Sequence, residues 1–265
     1  MQSREFCEGV IVLRNLKKTV AKLARKCGYE IIPSYQLSET PLARHLQELF
    51  ARLDIDLVVD VGAHYGEYAR FLRDVVGYRG SILSVEPIGE NFKNLKRTRE
   101  SDHSWAGVNV ALGPENTRMA INVTKDTQFA SFRAPSQAGL LATGNMQMRA
   151  NASVERVEEV EVLRLDELLT KHCAGRPDAQ IYLKLDTQGF DLQVIAGIGE
   201  WRNHILAMQS EISMLPLYEG MPTYAESVET FGNLGFDVTG FFPVSRDEML
   251  RVIEFDCTLI SRRLS

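Results

Sequence analysis

Residues 57–68 read LVVDVGAHYGEY, and this stretch decides the fold. Its first five residues form a short apolar run around Asp60, which predicts a buried strand, and a helical pattern begins near Gly66. Gly62 and Gly66 predict a tight turn between strand and helix, where a ligand can approach the backbone closely and helix N–H groups are free. The stretch therefore predicts a binding turn at the carboxyl end of a strand.

Short apolar runs and helical patterns alternate through the rest of the chain. The predicted strands are 57–61, 81–85, 108–112, 119–124, 157–163, 181–185, 206–212, 236–242 and 252–261, and the predicted helices are 67–76, 90–99, 166–172, 192–198 and 224–234. The last two strands, with no long helix between them, predict an antiparallel hairpin at one side of the sheet. The pattern predicts an α/β fold: a Rossmann-like, doubly wound sheet of seven mostly parallel strands, with N-terminal helices.

Two helical patterns precede the first strand. Residues 10–27 predict a basic amphipathic helix that ends at Gly28, and residues 41–52 predict a second helix with Thr40 as its N-cap. We therefore divide the chain into a helical lead-in, residues 1–53, and a main domain, residues 54–265. The basic helix either docks with one face solvated or makes a peripheral contact with an anionic membrane surface.

Composition narrows the classes of function. The chain has 265 residues, of which 45% are hydrophobic and 25% charged, as in ordinary globular proteins. The net charge of −5 provides no cationic field, so nucleic acid is not an expected partner. Four cysteines without a CxxC pair predict neither a disulfide framework nor a zinc site, and we expect a cytoplasmic protein.

The glycine turn favours one kind of cofactor. A dinucleotide fingerprint requires glycine where this chain has His64, and no Gly-Lys-Ser/Thr sequence closes a P-loop. An acid at the front of the turn, Asp60, suits a cofactor with a cationic end and no pyrophosphate. Glu86, at the end of the second strand, suits a ribose diol. Together these features favour S-adenosylmethionine (SAM).

Several motifs resemble the FkbM-type family of class I SAM-dependent methyltransferases. They are VVDVGAHYGEYA (58–69), SVEPIGENFKNL (84–95), VNVALG (108–113), VLRLDELL (162–169), LKLDTQGFDLQVIAG (183–197), QSEIS (209–213) and GF (235–236). His64 replaces the usual Asn of the first motif, and Asp186-Thr187-Gln188-Gly189 replaces the commoner DxEG, so that an acid is missing beside the site.

This resemblance implies methyl transfer to a hydroxyl group, often on a sugar of a glycolipid, a polysaccharide or a secondary metabolite. The cofactor-binding residues that we expect are Asp60, Gly62, Ala63, His64, Gly66, Glu86, Pro87 and Ala111. The partner that we expect is a small-molecule or glycan acceptor. A non-catalytic binding module with the same fold, and a methyltransferase acting on a non-sugar metabolite, remain as alternatives.

A sugar hydroxyl needs help to lose its proton, and the expected catalytic residues follow the strands that end beside the cofactor. They are Asp186, as general base or anchor of the acceptor, and Glu211, as a second choice; no metal is assigned. Lys184 lies on the same face of its strand as Asp186, and both a structural ion pair and a catalytic role are open. Residues 126–152 and 214–224 are candidate walls of the acceptor site, with Tyr218 and Tyr224 as flat surfaces for a sugar ring.

Overall fold

The computed structural model describes residues 20, 23–24, 26–29, 31–34 and 37–264. The chain divides into two compact units, residues 1–42 and 43–265. In the first unit the described positions 20, 23, 24 and 26 are helical, and Gly28 follows with a φ of 82°. Most of the predicted helix 10–27 lies outside the described residues, and the domain boundary after residue 53 stays a prediction.

The described residues contain ten strands, which form two sheets. The strands are β1 Leu57–Val61, β2 Ser81–Val85, β3 Trp105–Val108, β4 Ala111–Gly113, β5 Thr117–Thr124, β6 Val154–Arg164, β7 Ile181–Leu185, β8 Ile205–Ser213, β9 Phe236–Arg246 and β10 Val252–Ser261. The main sheet has the order β3-β2-β1-β7-β8-β10-β9, and only β10 runs antiparallel to its neighbours. The predicted seven-stranded sheet with an antiparallel C-terminal hairpin is confirmed.

Helices connect the strands. They are α1 Thr40–Leu53, α2 Glu67–Phe71, α3 Gly89–Thr98, α4 Gln137–Ala142, α5 Met146–Asn151, α6 Leu165–His172, α7 Asp191–Ala196 and α8 Tyr224–Asn233. The predicted helix 67–76 is α-helical only as far as Phe71, and Leu72–Val76 forms a π-helical turn before Gly77. None of the helices in the described part of the chain is long and apolar enough to cross a bilayer.

One prediction about the strands is wrong. Residues 108–112 do not form a single strand, because β3 ends at Val108 while β4 belongs to a second sheet of order β4-β6-β5. The chain leaves the main sheet at Asn109, whose side-chain amide donates to the carbonyl oxygens of Glu86 and Pro87 at 2.8 and 3.0 Å. Ala111 then pairs with Val162 of β6.

The two faces of the main sheet differ in polarity. On one face, the apolar side chains of the central strands pack against α6, α7 and α8 in the main core. On the other face, Asp60 of β1 lies in register between Ser84 of β2 and Lys184 of β7, and all three are buried. The predicted alternation along β7 is confirmed, since Ile181, Leu183 and Leu185 belong to the core face. A buried polar layer therefore leads to the carboxyl ends of the strands.

Candidate functional site

The glycine turn is pressed against neighbouring parts of the protein. Gly62 and Gly66 have φ angles of 82° and 87°. A Cβ on Gly62 would lie 1.9 Å from the Asp186 carbonyl oxygen, and a Cβ on Gly66 would lie 2.6 Å from the Trp105 ring. The sequence predicts glycine here so that a ligand can approach. In the structure, contacts with the protein itself already require it.

The backbone N–H groups of the turn are committed to protein acceptors. The pairs are Gly62 and Ala63 with the Val85 carbonyl, His64 with Glu86, Tyr65 with Glu67, and Gly66 with the Ala63 carbonyl. A phosphate binds at such a turn through free N–H groups. The turn is therefore unsuited to the phosphate-containing ligands that the sequence already disfavours.

Glu86 follows β2 and is held by three donors. Its Oε2 atom accepts from the His64 N–H at 2.8 Å, and its Oε1 atom accepts from the Ile88 N–H at 3.0 Å and from Asn91 Nδ2 at 3.2 Å. The residue is 4% exposed. Burial raises its pKa to about 7, although these hydrogen bonds favour the ionised form. Oε2, with a single protein donor, keeps the greater capacity to accept from a ligand hydroxyl.

His64 joins the turn to the segment after β5. It has a φ of 49°, in the left-handed region that favours glycine. Its Nε2 atom lies 2.9 Å from Thr127 Oγ1, and its Nδ1 atom lies 3.3 Å from Glu67 Oε2. Thr127 donates in turn to Asn91 Oδ1 at 3.1 Å. This contact places Thr127 beside the residues that hold Glu86.

Lys184 is the buried cation of the site. Its Nζ atom lies 2.8 Å from Asp186 Oδ2 and 3.7 Å from Asp60 Oδ1, and 5.1 Å from the centre of the Tyr68 ring. Burial alone would lower the pKa of Lys184, but the carboxylates of Asp186 and Asp60 raise it above its ordinary value. The ammonium is thus ion-paired between two acids, which agrees with the structural interpretation of Lys184.

Asp60 lies too deep for direct contact with a ligand. Its side chain is fully buried, and its Oδ2 atom accepts from Ser84 Oγ at 3.2 Å. Ser84 Oγ also accepts from Trp105 Nε1 at 2.9 Å. Burial raises the pKa of Asp60, and the Lys184 ammonium opposes this effect. Asp60 contacts Lys184, and the glycine turn follows it in the chain, so its predicted role in cofactor binding stays a prediction.

Asp186 and Glu211 lie at the ends of β7 and β8 and share one donor, the amide of Gln188. Gln188 Nε2 donates to Asp186 Oδ1 at 2.9 Å and to Glu211 Oε2 at 3.0 Å. Burial would raise the pKa of Asp186, but Lys184 holds it below its ordinary value. Burial and the carboxylates of Asp186, Glu254 and Asp256 raise the pKa of Glu211 well above its usual range. Glu211 is therefore the stronger base of the two, whereas the sequence favours Asp186.

The other predicted cofactor residues differ in position. Ala63 lies inside the turn and is buried. Pro87 follows Glu86 and is half-buried. Ala111 belongs to the core of the second sheet, where it packs with Ile88, and it is 5% exposed. The structure brings the predicted residues of β1, β2, β7 and β8 together at the carboxyl ends of these strands, whereas Ala111 lies in the separate apolar cluster that contains Ile88.

The candidate acceptor walls pack against each other. The Ser136 N–H donates to the Leu217 carbonyl at 2.8 Å, and a Cβ on Gly139 would lie 1.9 Å from the Pro216 carbonyl oxygen. Tyr218 is 2% exposed, and its hydroxyl donates to Gln188 Oε1 at 2.6 Å. The expectation that Tyr218 offers a flat surface to a sugar is wrong, because its ring lies inside this packing. Tyr224, at the start of α8, is 47% exposed.

Sequence reasoning missed three residues that shape the site, Asn91, Thr127 and Asp191, and it noted Gln188 only as the position of a missing acid. Asn91 stands one helical turn after Glu86-Pro87, and Asp191 accepts from the Thr187 N–H at 3.0 Å, which fixes the loop after β7. Both are polar residues in the first turn of a helix that follows a strand end, and this pattern could have predicted them as residues of the site. Thr127 comes from a distant segment and carries no local signal. Within the described residues, no group of three or more His, Cys, Asp or Glu side chains is arranged to hold a metal ion.

The sequence model of the family described as the methyltransferase FkbM domain matches residues 60–238. The chain belongs to the FkbM methyltransferase family. The match covers the glycine turn, Glu86, the loop after β7 and Glu211. It confirms the resemblance and, with the strand order of the main sheet, the predicted fold of SAM-dependent methyltransferases.

Solved structures with a similar chain course include an FkbM methyltransferase from Methylobacillus flagellatus KT, with 13% identity and a TM-score of 0.47 over 78% of this chain and 44% of that chain. Fibrillarin from Aeropyrum pernix, with natively bound SAM, has 9% identity and a TM-score of 0.41, and the match covers 77% of this chain and 66% of the fibrillarin chain. Magnesium protoporphyrin IX methyltransferase from Synechocystis PCC 6803, with bound SAM, has 7% identity and a TM-score of 0.43, and the match covers 86% of this chain and 81% of that chain.

The FkbM domain described here spans less than half the length of the Methylobacillus protein. No curated protein matches the chain in sequence.

Proposed function

We propose that this FkbM-family domain is a SAM-dependent O-methyltransferase that acts on a hydroxyl of a sugar, a glycosylated natural product or a glycolipid. One observation carries the proposal. A carboxyl group with a raised pKa, Glu211, and an ion-paired carboxylate, Asp186, lie beside the glycine turn that characterises the family. Hydroxyl methylation requires a proton acceptor at the reacting oxygen, and such a pair provides one.

The chemistry of the crevice fits SAM. The turn offers no uncommitted N–H group among Gly62, Ala63, His64, Tyr65 and Gly66, whereas the strand ends present carboxyl groups. A nucleoside with a ribose diol, an amino group and a sulfonium presents donors and positive charge, which are the complement of these acceptors. We assign the ribose hydroxyls to Glu86, whose Oε2 atom accepts only one protein donor.

SAM, when bound, supplies a methyl group on a positively charged sulfur. Asp186, ionised and fixed by Lys184, anchors the acceptor by accepting a hydrogen bond from one of its hydroxyls. Glu211 takes the proton of the reacting hydroxyl. Because a nearby positive charge favours the ionised form of a carboxyl, Glu211 loses its own proton more readily when a cation occupies the crevice.

The test is transfer of an isotopically labelled methyl group. The protein is incubated with methyl-labelled SAM and a panel of deoxysugar-bearing acceptors, and mass spectrometry with NMR locates the label. We expect a labelled methyl ether on a sugar oxygen. A label on nitrogen or carbon would overturn O-methylation, and SAM binding without transfer to any acceptor would favour the non-catalytic alternative.

A further inference from the structure

Gln188 lies between the two carboxyl groups at the ends of β7 and β8. Its Nε2 atom donates to Asp186 Oδ1 at 2.9 Å and to Glu211 Oε2 at 3.0 Å, and its Oε1 atom accepts from the Tyr218 hydroxyl at 2.6 Å. Both N–H groups of the amide are thus used by carboxyl oxygens. A carboxylate in its place has no hydrogen to donate, and its charge would repel both neighbours.

The backbone of this loop is fixed from several sides. Gln188 has a φ of 53°, a left-handed conformation that non-glycine residues rarely adopt. Its carbonyl accepts from Ser131 Oγ at 2.8 Å, and the Gly189 carbonyl accepts from Arg133 Nε at 2.8 Å. Asp191 holds the Thr187 N–H at 3.0 Å. An unfavourable backbone conformation that persists under so many constraints is typical of functional sites.

The surroundings of Gln188 are strongly acidic. The charged and titratable groups around Gln188 and the two carboxyl groups it binds are Lys184 on β7, Asp186 after β7, Glu211 on β8, Glu254 and Asp256 on β10, Asp191 on α7, Tyr218 after β8 and Arg133 before α4. Burial raises the pKa of Glu254 to about 7 and of Asp256 to about 6. At position 188 this chain has a neutral amide, which limits the repulsion in the group.

We propose that Gln188 is a positioning residue whose amide holds the Asp186 and Glu211 carboxyl groups side by side by donating one N–H to each. The role of this pair in methyl transfer rests on the proposed function. The hydrogen bonds themselves belong to the free protein. They can therefore be tested without knowing the acceptor.

The first test compares Gln188→Glu with Gln147→Glu, an exposed substitution on α5 that adds the same charge. The carboxyl group introduced by Gln188→Glu supplies one of the two donors of the amide when protonated and none when ionised, so its folded pKa must lie above the unfolded value of about 4.3. A group of this kind stabilises the fold below its unfolded pKa, and the contribution is lost as pH rises through its folded pKa. We expect the melting temperature of Gln188→Glu to be near the wild type at pH 5 and about 5 °C or more lower at pH 8.

Gln147→Glu should follow the wild type over the whole range. A Gln188→Glu curve parallel to the wild type, with no growing difference, would overturn the proposal, because side-chain volume is unchanged in this variant. If Gln188→Glu is unfolded at pH 8, the difference between pH 5 and pH 6.5 gives the same answer.

The second test uses Gln188→Met, which fills a similar volume without donors. Carbon-13 NMR of labelled aspartate should show the titration midpoint of Asp186 moving upward by about one pH unit, since its carboxylate loses a donor. An unchanged midpoint would contradict the proposal. Calorimetry of the wild type with SAM tests the proposed function separately, since a failure to bind SAM would remove that function and leave the result for Gln188 intact.

Discussion

The carboxylate after β2 and the carboxyl pair after β7 and β8 are held by different kinds of donor. Glu86 is bound by two backbone N–H groups, of His64 and Ile88, and by one side-chain amide. Asp186 is bound by the side chains of Lys184 and Gln188, and Glu211 is bound by the side chain of Gln188. The proposed cofactor half, around Glu86, is thus built from the local course of the chain, whereas the proposed acceptor half, around Asp186 and Glu211, depends on the charge of individual side chains. Backbone changes should damage the first half most, and isosteric charge changes the second.

The largest expected effect is at Gly62, where the two halves touch. Gly62→Ala places a Cβ 1.9 Å from the Asp186 carbonyl oxygen, so we expect a loss of about 4 kcal/mol or more in the free energy of unfolding. The matched control is Gly77→Ala, which has a similar φ of 80° and nothing within 4 Å of the new Cβ. It should cost only about 1–2 kcal/mol. Urea unfolding measures the free energy of unfolding of both variants. An equal loss of stability in the two would show that the positive φ angle, and not the close contact with Asp186, requires glycine at position 62.

The next effect is on catalysis in the acceptor half. Glu211→Gln keeps the size of the side chain and removes the proton acceptor, so we expect kcat to fall by about 100-fold to 10,000-fold. The affinity for SAM, measured by calorimetry, should change little because Glu86 lies in the other half. Turnover near that of the wild type would exclude Glu211 as the general base and favour Asp186 instead.

Glu86 makes the cofactor half sensitive to pH. Its folded pKa is raised from an ordinary 4.5 to about 7, so it stabilises the fold below pH 4.5 and loses that contribution as pH rises through 7. The change corresponds to about 3 kcal/mol. In Glu86→Gln, the fall in unfolding free energy between pH 4.5 and 7.5 should be smaller by about that amount. Other buried acids with raised pKa values contribute with the same sign, so a fall as steep as in the wild type would assign it to them instead; they are Asp60, Asp191, Glu211, Glu254 and Asp256.

The smallest expected effect is at Thr127, which reaches the cofactor half from the segment after β5. Thr127→Val removes the contacts with His64 and Asn91 and should cost about 1 kcal/mol. Thr127→Ser, which keeps the hydroxyl, should remain near the wild type. Differential scanning calorimetry compares the two, and a loss in Thr127→Ser with none in Thr127→Val would assign the effect to packing of the methyl group and contradict the role of the hydroxyl.

The contrast between the halves also explains what the sequence could predict. Asp60, Gly62, Glu86 and the strands that carry them are encoded within short segments, and the family match confirms their order along the chain. The main sheet follows from the same local patterns. The break between β3 and β4 does not, because it depends on Asn109 bonding to the carbonyl oxygens of Glu86 and Pro87.

In the acceptor half, the bonds join residues far apart in sequence, such as Tyr218 with Gln188 and Ser131 with Gln188. No local pattern contains them. The same applies to the relative basicity of Asp186 and Glu211, which is set by Lys184 on one side and by the carboxylates of β10 on the other. Spacing shows which acids end at the crevice, and only tertiary contacts decide which of them holds a proton.

The apolar cluster beneath the acceptor half unites two segments of the chain. Leu140 and Met148 come from the segment before β6, Leu217 and Tyr218 come from the loop after β8, and all of them belong to one buried cluster with Ile253. If either segment alone were replaced by that of a related protein, its apolar side chains would lack the residues that they pack against in this cluster. Redesign of acceptor preference should therefore exchange both segments together, as a single cassette.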